Sequence, residues 1–202
     1  MKKTTKTEWK PGNMLYPLPA VMVSCGSNPD EYNIITISWT GTINTNPPMC
    51  YISVRPERHS YNIIKKNKEF VINLTTEQLA RITDFNGVKS GKNIDKFKET
   101  GLTPVKTKKI NSVSIEESPV NIECRVTQII PLGSHDMFLA EVVSVSVNEN
   151  LLDEKTDAFR LDKAKLISYS HGFYYKLGEN LGRFGFSVTK KKKKNNHKKK
   201  IK

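Results

Sequence analysis

Arg55 and Arg58 lie close together in the chain, with Pro56 and Glu57 between them and Ser60 shortly after. A guanidinium group binds a phosphate through parallel hydrogen bonds, and the first backbone N–H groups of a helix also attract anions. If Ser60 begins a helix, this segment brings arginine side chains, a hydroxyl and free N–H groups to one place. The pattern predicts a phosphate-binding site, and a charged surface turn would have the same composition.

A second group of polar side chains, Thr36, Ser38 and Thr40, alternates with Ile37 and Trp39. On a β-strand, alternate residues point to the same face, so the three hydroxyls would form one polar edge suited to a ligand. A solvent-facing stripe of serine and threonine would give the same pattern, and β propensity favours it as well.

A third segment, residues 90–97, begins with Ser90 and Gly91 and adds the positive charges of Lys92 and Lys96. A small polar bend with two lysines is able to close over an anion. Taken alone, such a lysine-rich loop is more often solvated than functional.

Other chemical motifs are missing from the sequence. His59, His135, His171 and His197 form no pair at helical spacing, and the cysteines at 25, 50 and 124 are widely separated. We therefore expect no metal site and no disulfide framework, and we interpret the cysteines as small buried hydrophobic residues. The sequence contains no Gly-x-x-x-x-Gly-Lys-Ser/Thr phosphate-binding loop, no dinucleotide-binding fingerprint and no serine-hydrolase elbow.

Charge and hydropathy narrow the class of protein further. The net charge is +13 over 202 residues, but the nine lysines at 190–202 leave only about +4 on the rest of the chain. Lysines without interleaved aromatic residues give at most a salt-sensitive attraction to nucleic acid, so we do not expect nucleic-acid binding as the main function.

The sequence predicts one domain over residues 1–189 and a disordered lysine-rich tail over 190–202. It has no apolar run of membrane length and no signal peptide, so a cytoplasmic location is expected.

The elements that must position these residues are mostly strands. Alternating or β-rich segments predict strands at 20–27, 32–39, 49–54, 69–74, 113–115, 120–126 and 143–147. Short helices are predicted at 60–67 with Ser60 as its cap, from a Thr75–Gln78 capping box to about residue 84, and at 95–100 before Gly101. The fold class is therefore mainly β with a few short helices, and the short strands favour an antiparallel barrel over a doubly wound parallel sheet.

Several segments taken in order closely resemble the flavin reductase-like family, in particular its flavoredoxin branch. The resemblance covers residues 12–189 and rests on ISWTG at 37–41, PP at 47–48, SVRPERHS at 53–60, EFVINL at 69–74, DFNG at 84–87, SGKNIDKF at 90–97, GLTP at 101–104, ECRV at 123–126 and LGSHDMFLAEV at 132–142. It implies an FMN-binding split β-barrel that forms a homodimer with flavin mononucleotide near the subunit interface.

The resemblance also implies roles for the polar residues named above. Flavin ring and ribityl contacts would come from Thr36, Ser38, Trp39 and Thr40, whereas the ribityl chain and phosphate would be held by Ser53, Arg55, Arg58 and Ser60. Ser90, Lys92 and Lys96 would close over the phosphate, across the dimer or within one chain. His135 is the candidate catalytic residue, as a ring nitrogen near an incoming nicotinamide, and a histidine that merely holds its loop is the alternative.

Two positions depart from the family pattern. Asn86 stands where relatives often carry a cysteine or another small residue, and Ser134 precedes His135 where flavin reductases of two-component oxygenases often carry aspartate. The expected function is an oxidoreductase that moves electrons between NAD(P)H or a redox partner and flavin. The alternatives are a flavoredoxin-type carrier without significant NAD(P)H turnover and an enzyme similar to pyridoxamine-phosphate oxidase, which the arrangement of Trp39 and Arg55 fits less well.

Overall fold

The computed structural model of the protein describes residues 4–189, so the predicted tail at 190–202 lies outside the described residues. The helices are α1 (His59–Asn67), α2 (Ala80–Val88) and α3 (Lys96–Thr100), with short 3₁₀ turns at Pro29–Glu31, Glu77–Leu79, Glu149–Leu151, Leu161–Ala164 and Phe186–Val188. The strands are β1 (Leu18–Pro19), β2 (Val21–Cys25), β3 (Asn33–Ile37), β4 (Thr40–Asn44), β5 (Met49–Val54), β6 (Glu69–Leu74), β7 (Pro104–Lys106), β8 (Val113–Ile115), β9 (Val120–Pro131), β10 (Asp136–Val147), β11 (Ile167–Ser170) and β12 (Phe173–Lys176).

One seven-stranded sheet forms most of the fold, in the order β3-β2-β6-β9-β10-β5-β4. All of its pairings are antiparallel, and it curls into a half-barrel. Register shifts in the β9–β10 pair at Leu139/Ala140 and Val142/Ser144 are β-bulges, which increase local twist and bend. The predicted mainly-β class with a few short helices is confirmed.

The two edge strands of this sheet, β3 and β4, are consecutive in the chain. Only Ser38 and Trp39 separate them. The sheet is therefore open along one side, and this short link crosses the opening. Two hairpin strands near the C-terminus, β11 and β12, form a small separate sheet with β1.

The main core fills the concave side of the sheet. Its largest fully buried members include Phe70, Phe138, Ile52, Ile64 and Val23. Strand β5 alternates as period-two patterning requires, with Cys50, Ile52 and Val54 buried. All three cysteines are buried and unpaired, as predicted, and the Sγ atoms of Cys50 and Cys124 lie 3.5 Å apart.

A second core lies on the other side of the sheet, where α2 and α3 cover β2 and β3. It contains Met22, Ile34, Leu79, Phe97 and Val113. Strand β2 is buried along its whole length because it lies between these two cores. The helices thus bring the 84–97 region against edge strand β3.

Two predicted helix caps are wrong. Helix α1 begins at His59 and has Arg58 at its N-cap position without a side-chain cap, while Ser60 is buried in the first turn and accepts a hydrogen bond from Asn33. The hydroxyl of Thr75 donates to the carbonyl of Ala20 rather than capping a helix, and α2 begins only at Ala80. In both cases a distant polar partner takes the side chain that a local pattern assigned to a helix end.

The third predicted helix is confirmed. The carboxylate of Asp95 accepts the N–H of Lys98 at 3.1 Å, and Gly101 ends α3 with φ of 68°.

Between residues 4 and 189 no helix is both long and apolar enough to cross a membrane. The same part of the chain has no group of three histidine, cysteine, aspartate or glutamate side chains that could hold a metal ion.

Candidate functional site

A groove along the open edge of the sheet contains two adjoining cavities that share Ile35, Arg55 and Arg58. The first, here called the aromatic compartment, has a volume of about 320 Å³. Its other lining residues are Thr36, Ile37, Ser38, Trp39, Ser53, Val54, Asp84, Gly87, Val88, His135, Tyr169 and Tyr174. The second, the cationic compartment, has a volume of about 360 Å³ and is otherwise lined by Asn33, Glu57, His59, Ser60, Asn86, Lys89, Ser90, Gly91 and Lys96.

Trp39 and His135 form one wall of the aromatic compartment. Trp39 lies in the link between β3 and β4, where its carbonyl accepts the N–H of Ser53 at 2.9 Å. His135 lies in the turn between β9 and β10, and its ring centroid is 4.4 Å from that of Trp39. Burial, and then the charge of Arg55, lowers the pKa of His135, so the imidazole is neutral at pH 7.

The same compartment is also lined by two tyrosines that were not predicted from the sequence. Tyr169 and Tyr174 face each other across the β11–β12 hairpin with ring centroids 5.6 Å apart. The hydroxyl of Tyr174 donates to Asp84 Oδ1 at 3.4 Å, and burial raises its pKa to about 12, so it stays protonated. His171 and Gly172 both have positive φ, as a tight hairpin turn requires, so this His-Gly turn was the signal that could have revealed the pair.

Lys96 is the most unusual residue of the cationic compartment. Only 3% of it is exposed, and its Nζ atom donates to the carbonyl oxygens of Ile34 and Asn86, each at 2.7 Å. Among the described residues it has no salt bridge to a carboxylate. Burial, with the nearby charge of Arg58, lowers the pKa of Lys96 to about 8. A buried ammonium held only by neutral oxygens favours the approach of an anion.

Arg58 adds a second cation to the same compartment. Its Nη1 atom donates to the carbonyl of Gly87 at 3.4 Å, which leaves most of its donors free for a ligand. Arg55 lies 3.5 Å from Glu57, and both side chains are largely exposed. His59 lines the compartment as well, and burial together with Lys92 and Lys96 lowers its pKa.

The floor of the cationic compartment is formed by Asn33, Ser60 and Gly91. The amide of Asn33 donates to the hydroxyl of Ser60 at 2.7 Å. A β-carbon added at Gly91 would lie 2.1 Å from Asn33 Oδ1 and 3.0 Å from the ring of His59. Only glycine therefore lets the 90–97 segment pack this closely against β3 and α1.

Most of the residues predicted for the site line this groove. Thr36, Ser38, Trp39, Ser53, Arg55, Arg58 and His135 line the aromatic compartment, and Ser60, Ser90 and Lys96 line the cationic one. The structure does not bring Thr40 or Lys92 into either lining. The Thr40 hydroxyl donates to the carbonyl of Tyr51 at 2.6 Å, and Lys92 is exposed.

The predicted alternation of Thr36, Ser38 and Thr40 along one strand is wrong, because β3 ends at Ile37 and β4 starts at Thr40. The Thr36 hydroxyl donates to the carbonyl of Thr83 on α2. Besides the tyrosines, the sequence analysis missed Asn33, His59 and Asp84 as lining residues. A polar residue such as Asn33 at the start of a β-rich run was the available signal for the first of these.

The sequence of the chain is similar to that of known proteins. A sequence profile of the flavin reductase like domain family matches residues 14–176. An uncharacterized protein of Pyrococcus abyssi is 31% identical over 157 residues, which cover 78% of this chain and 90% of that protein.

Solved structures agree on the fold. Flavoredoxin of Desulfovibrio vulgaris (Miyazaki F) is 26% identical with a TM-score of 0.84, and the alignment covers 92% of this chain and all of that one. A flavoredoxin from Methanosarcina acetivorans is 21% identical with a TM-score of 0.81, again over 92% of this chain and 100% of its own. These neighbours confirm the predicted split β-barrel fold.

Proposed function

Because this chain belongs to the flavin reductase-like family, we propose that it binds FMN in the groove and acts as an oxidoreductase that moves electrons between NAD(P)H or a redox partner and the flavin. The observation that carries this proposal is the buried Lys96 beside Arg58, next to a compartment lined by aromatic rings. Within residues 4–189 this lysine forms no salt bridge to a carboxylate. A ligand with an anionic end and a flat apolar end matches both halves of the groove.

The residues present fit FMN in chemistry and in order along the groove. Arg58, Lys96, Ser60 and Ser90 supply cations and hydroxyl donors for a phosphate. Ser53 and Ser38 supply short polar side chains for the ribityl chain, and Ile35 supplies an apolar surface between the compartments. Trp39 and the tyrosine pair provide the slot for the ring. The contributions that we infer for Thr40 and Lys92 are indirect, since neither lines the groove.

When bound, FMN supplies the redox step, taking up a hydride or single electrons, so the protein need not provide an acid–base pair. The chain's own residues bind and orient it. Neutral His135 offers a hydrogen-bonding nitrogen at the aromatic wall without adding a positive charge there. Tyr174 keeps its proton and donates to Asp84, which fixes the position of this tyrosine in the lining of the aromatic compartment. We propose that a nicotinamide meets this wall at His135.

A flavoredoxin-type carrier is the second candidate. The specific support is the 26% identity to the Desulfovibrio vulgaris flavoredoxin over nearly the whole chain. Steady-state oxidation of NADH and NADPH with added FMN separates the two functions. Rapid turnover supports the reductase, whereas reduction of bound flavin only by a protein partner supports the carrier.

The cofactor itself is tested before any assay of activity. Protein purified in yellow form, or a colourless form that takes up FMN in a fluorescence titration with quenching at 1:1 stoichiometry, supports the proposal. A protein that is colourless and does not bind FMN at micromolar concentrations would contradict it. Riboflavin serves as the matched control, because it lacks only the phosphate.

We further propose a cytoplasmic homodimer. The N-terminal arm and the C-terminal segment expose apolar side chains that one chain leaves uncovered: Met14, Leu15, Leu177, Leu181, Phe184, Phe186 and Val188. Large apolar side chains exposed in such number are typical of a protein interface. Light scattering after size exclusion, at several dilutions, tests the dimer; a mass of one chain at all concentrations would reject it.

A further inference from the structure

Helix α1 connects the cationic compartment to the core beneath the aromatic compartment. His59 and Ser60 line the cationic compartment at the start of the helix, and Tyr61 follows them. Tyr61 lines neither compartment and is 5% exposed. Its ring meets that of Phe138 edge-on, with a centroid separation of 5.5 Å. Within one turn of α1, His59 and Ser60 therefore line the groove, whereas Tyr61 packs in the core.

The hydroxyl of Tyr61 donates a hydrogen bond to the carboxylate of Asp136, which is 9% exposed. Lys65, one turn further along α1, has its Nζ atom 3.4 Å from the same hydroxyl oxygen. The bond to Asp136 and burial raise the pKa of Tyr61, so the hydroxyl keeps its proton and remains a donor. This is a polar tie inside an otherwise apolar core, between the helix and the first residue of β10.

Asp136 directly follows His135 in the chain. Its backbone is in register with Val54 on β5, and the N–H of Leu132 donates to the carbonyl of His135 at 3.0 Å, which closes the turn. The turn is thus anchored by main-chain bonds on one side and by the Asp136 side chain on the other. With both anchors in place, the His135 ring stays beside Trp39 at 4.4 Å.

We propose that Tyr61 and Asp136 are a positioning pair that holds His135 against Trp39 and thereby fixes one wall of the aromatic compartment. A phenylalanine at position 61 would keep the ring contact with Phe138, so the hydroxyl contributes the tie to Asp136 rather than packing. The inference rests on the proposed function, since a fixed wall matters because it orients the flavin ring. Neither residue touches the groove, and both act through His135.

The test uses Tyr61→Phe in a Trp9→Phe background. The chain has two tryptophans, so this background leaves Trp39 as the only one. In the ligand-free protein we expect the His135 pKa, measured by NMR, to rise toward its ordinary value as the burial of the imidazole relaxes. The near-ultraviolet circular dichroism of Trp39 should weaken, while the far-ultraviolet spectrum stays unchanged. Tyr32→Phe is the matched control, because its ring packs on Phe97 and its hydroxyl makes no hydrogen bond within residues 4–189; both signals should remain as in the parent.

A folded Tyr61→Phe protein whose His135 pKa and Trp39 signal equal those of the parent overturns the proposal. If that variant does not fold, the comparison moves to Asp136. Asp136→Asn keeps an oxygen that accepts the Tyr61 bond and should retain the Trp39 signal, whereas Asp136→Ala should lose it; equal signals overturn the proposal. These readouts use ligand-free protein, so failure of the parent to bind FMN would reject the proposed function separately.

Discussion

Lys96 on α3 donates a hydrogen bond from its ammonium group to the main-chain carbonyl of Ile34 on β3, at 2.7 Å. This bond places a buried cation at the edge of the sheet, at the end of the groove where Arg58 also lies. Its positive charge is offset by no carboxylate within residues 4–189. Several consequences for binding and stability can be measured.

FMN affinity should fall as the pH rises through about 8, the pKa of Lys96. A bound phosphate favours the ammonium form and raises this pKa, so binding takes up a proton once Lys96 is neutral in the free protein. Affinity should be highest between about pH 6, where the phosphate is dianionic, and pH 8. Fluorescence titrations across pH 6–10 measure this dependence.

Lys96→Met provides the control for that titration. It should bind FMN more weakly by about 1.5–3 kcal/mol near pH 7, the contribution of a charge-assisted hydrogen bond. Its affinity should also be nearly independent of pH between 7 and 9.5. A wild-type protein whose affinity is equally flat over this interval would remove Lys96 from the phosphate site.

The same lysine should make the stability of the ligand-free protein depend on pH. Its folded pKa of about 8 lies below the ordinary value of about 10.4, so the unfolded chain binds more protons in this window. The free energy of unfolding contributed by Lys96 should therefore increase as the pH rises from 8 to 10.4, by about 1–3 kcal/mol. Urea unfolding of wild type and Lys96→Met isolates this contribution, and parallel curves for the two proteins would refute it.

Arg58→Ala should weaken FMN binding by about 1.5–3 kcal/mol if the guanidinium grips the phosphate. Riboflavin binding should change much less, because riboflavin has no phosphate. Arg81→Ala is the matched control, since Arg81 is exposed on α2 outside both compartments. An equal loss for FMN and riboflavin would mean that Arg58 acts on the ring or on the fold instead.

Gly91→Ala should destabilise the protein and disturb the phosphate end together. The new methyl group would lie 2.1 Å from Asn33 Oδ1, so the 90–97 segment or Asn33 must move. Overpacking of this kind costs about 1–3 kcal/mol in the free energy of unfolding. Gly178→Ala meets no atom within 4 Å and should be neutral. Urea unfolding and FMN titration of both variants measure the two effects. A Gly91→Ala protein with the stability and FMN affinity of the wild type would contradict the prediction.

Strands whose signal is local were predicted most accurately. Residues 49–54 and 69–74 coincide with β5 and β6, because their own apolar pattern specifies the pleat. The predicted caps at Ser60 and Thr75 failed because long-range contacts decided the partners of these two side chains. Ser60 accepts a hydrogen bond from Asn33, and Thr75 donates one to the carbonyl of Ala20. Neither partner can be predicted from the neighbouring sequence.

The residues of the candidate site also divide into those that could be predicted from the sequence and those that could not. Arg55, Arg58, Trp39 and His135 were found because their residue types and order match a family pattern, and the structure gathers them in one groove. Tyr169 and Tyr174 were missed because a late hairpin carries them to that groove from a distant part of the chain. The burial of Lys96 was likewise invisible, since the sequence of its loop reads as solvated.

The short link between β3 and β4 limits how far the groove can open. It joins the two free edges of the half-barrel through Ser38 and Trp39 alone. Three peptide units span at most about 11 Å when fully extended, so this covalent tether sets an upper bound on the separation of the edges beside Trp39. We therefore expect ligand entry and release to involve parts of the rim away from this link, such as the tyrosine hairpin or the 90–97 segment, rather than separation of the strand edges beside Trp39.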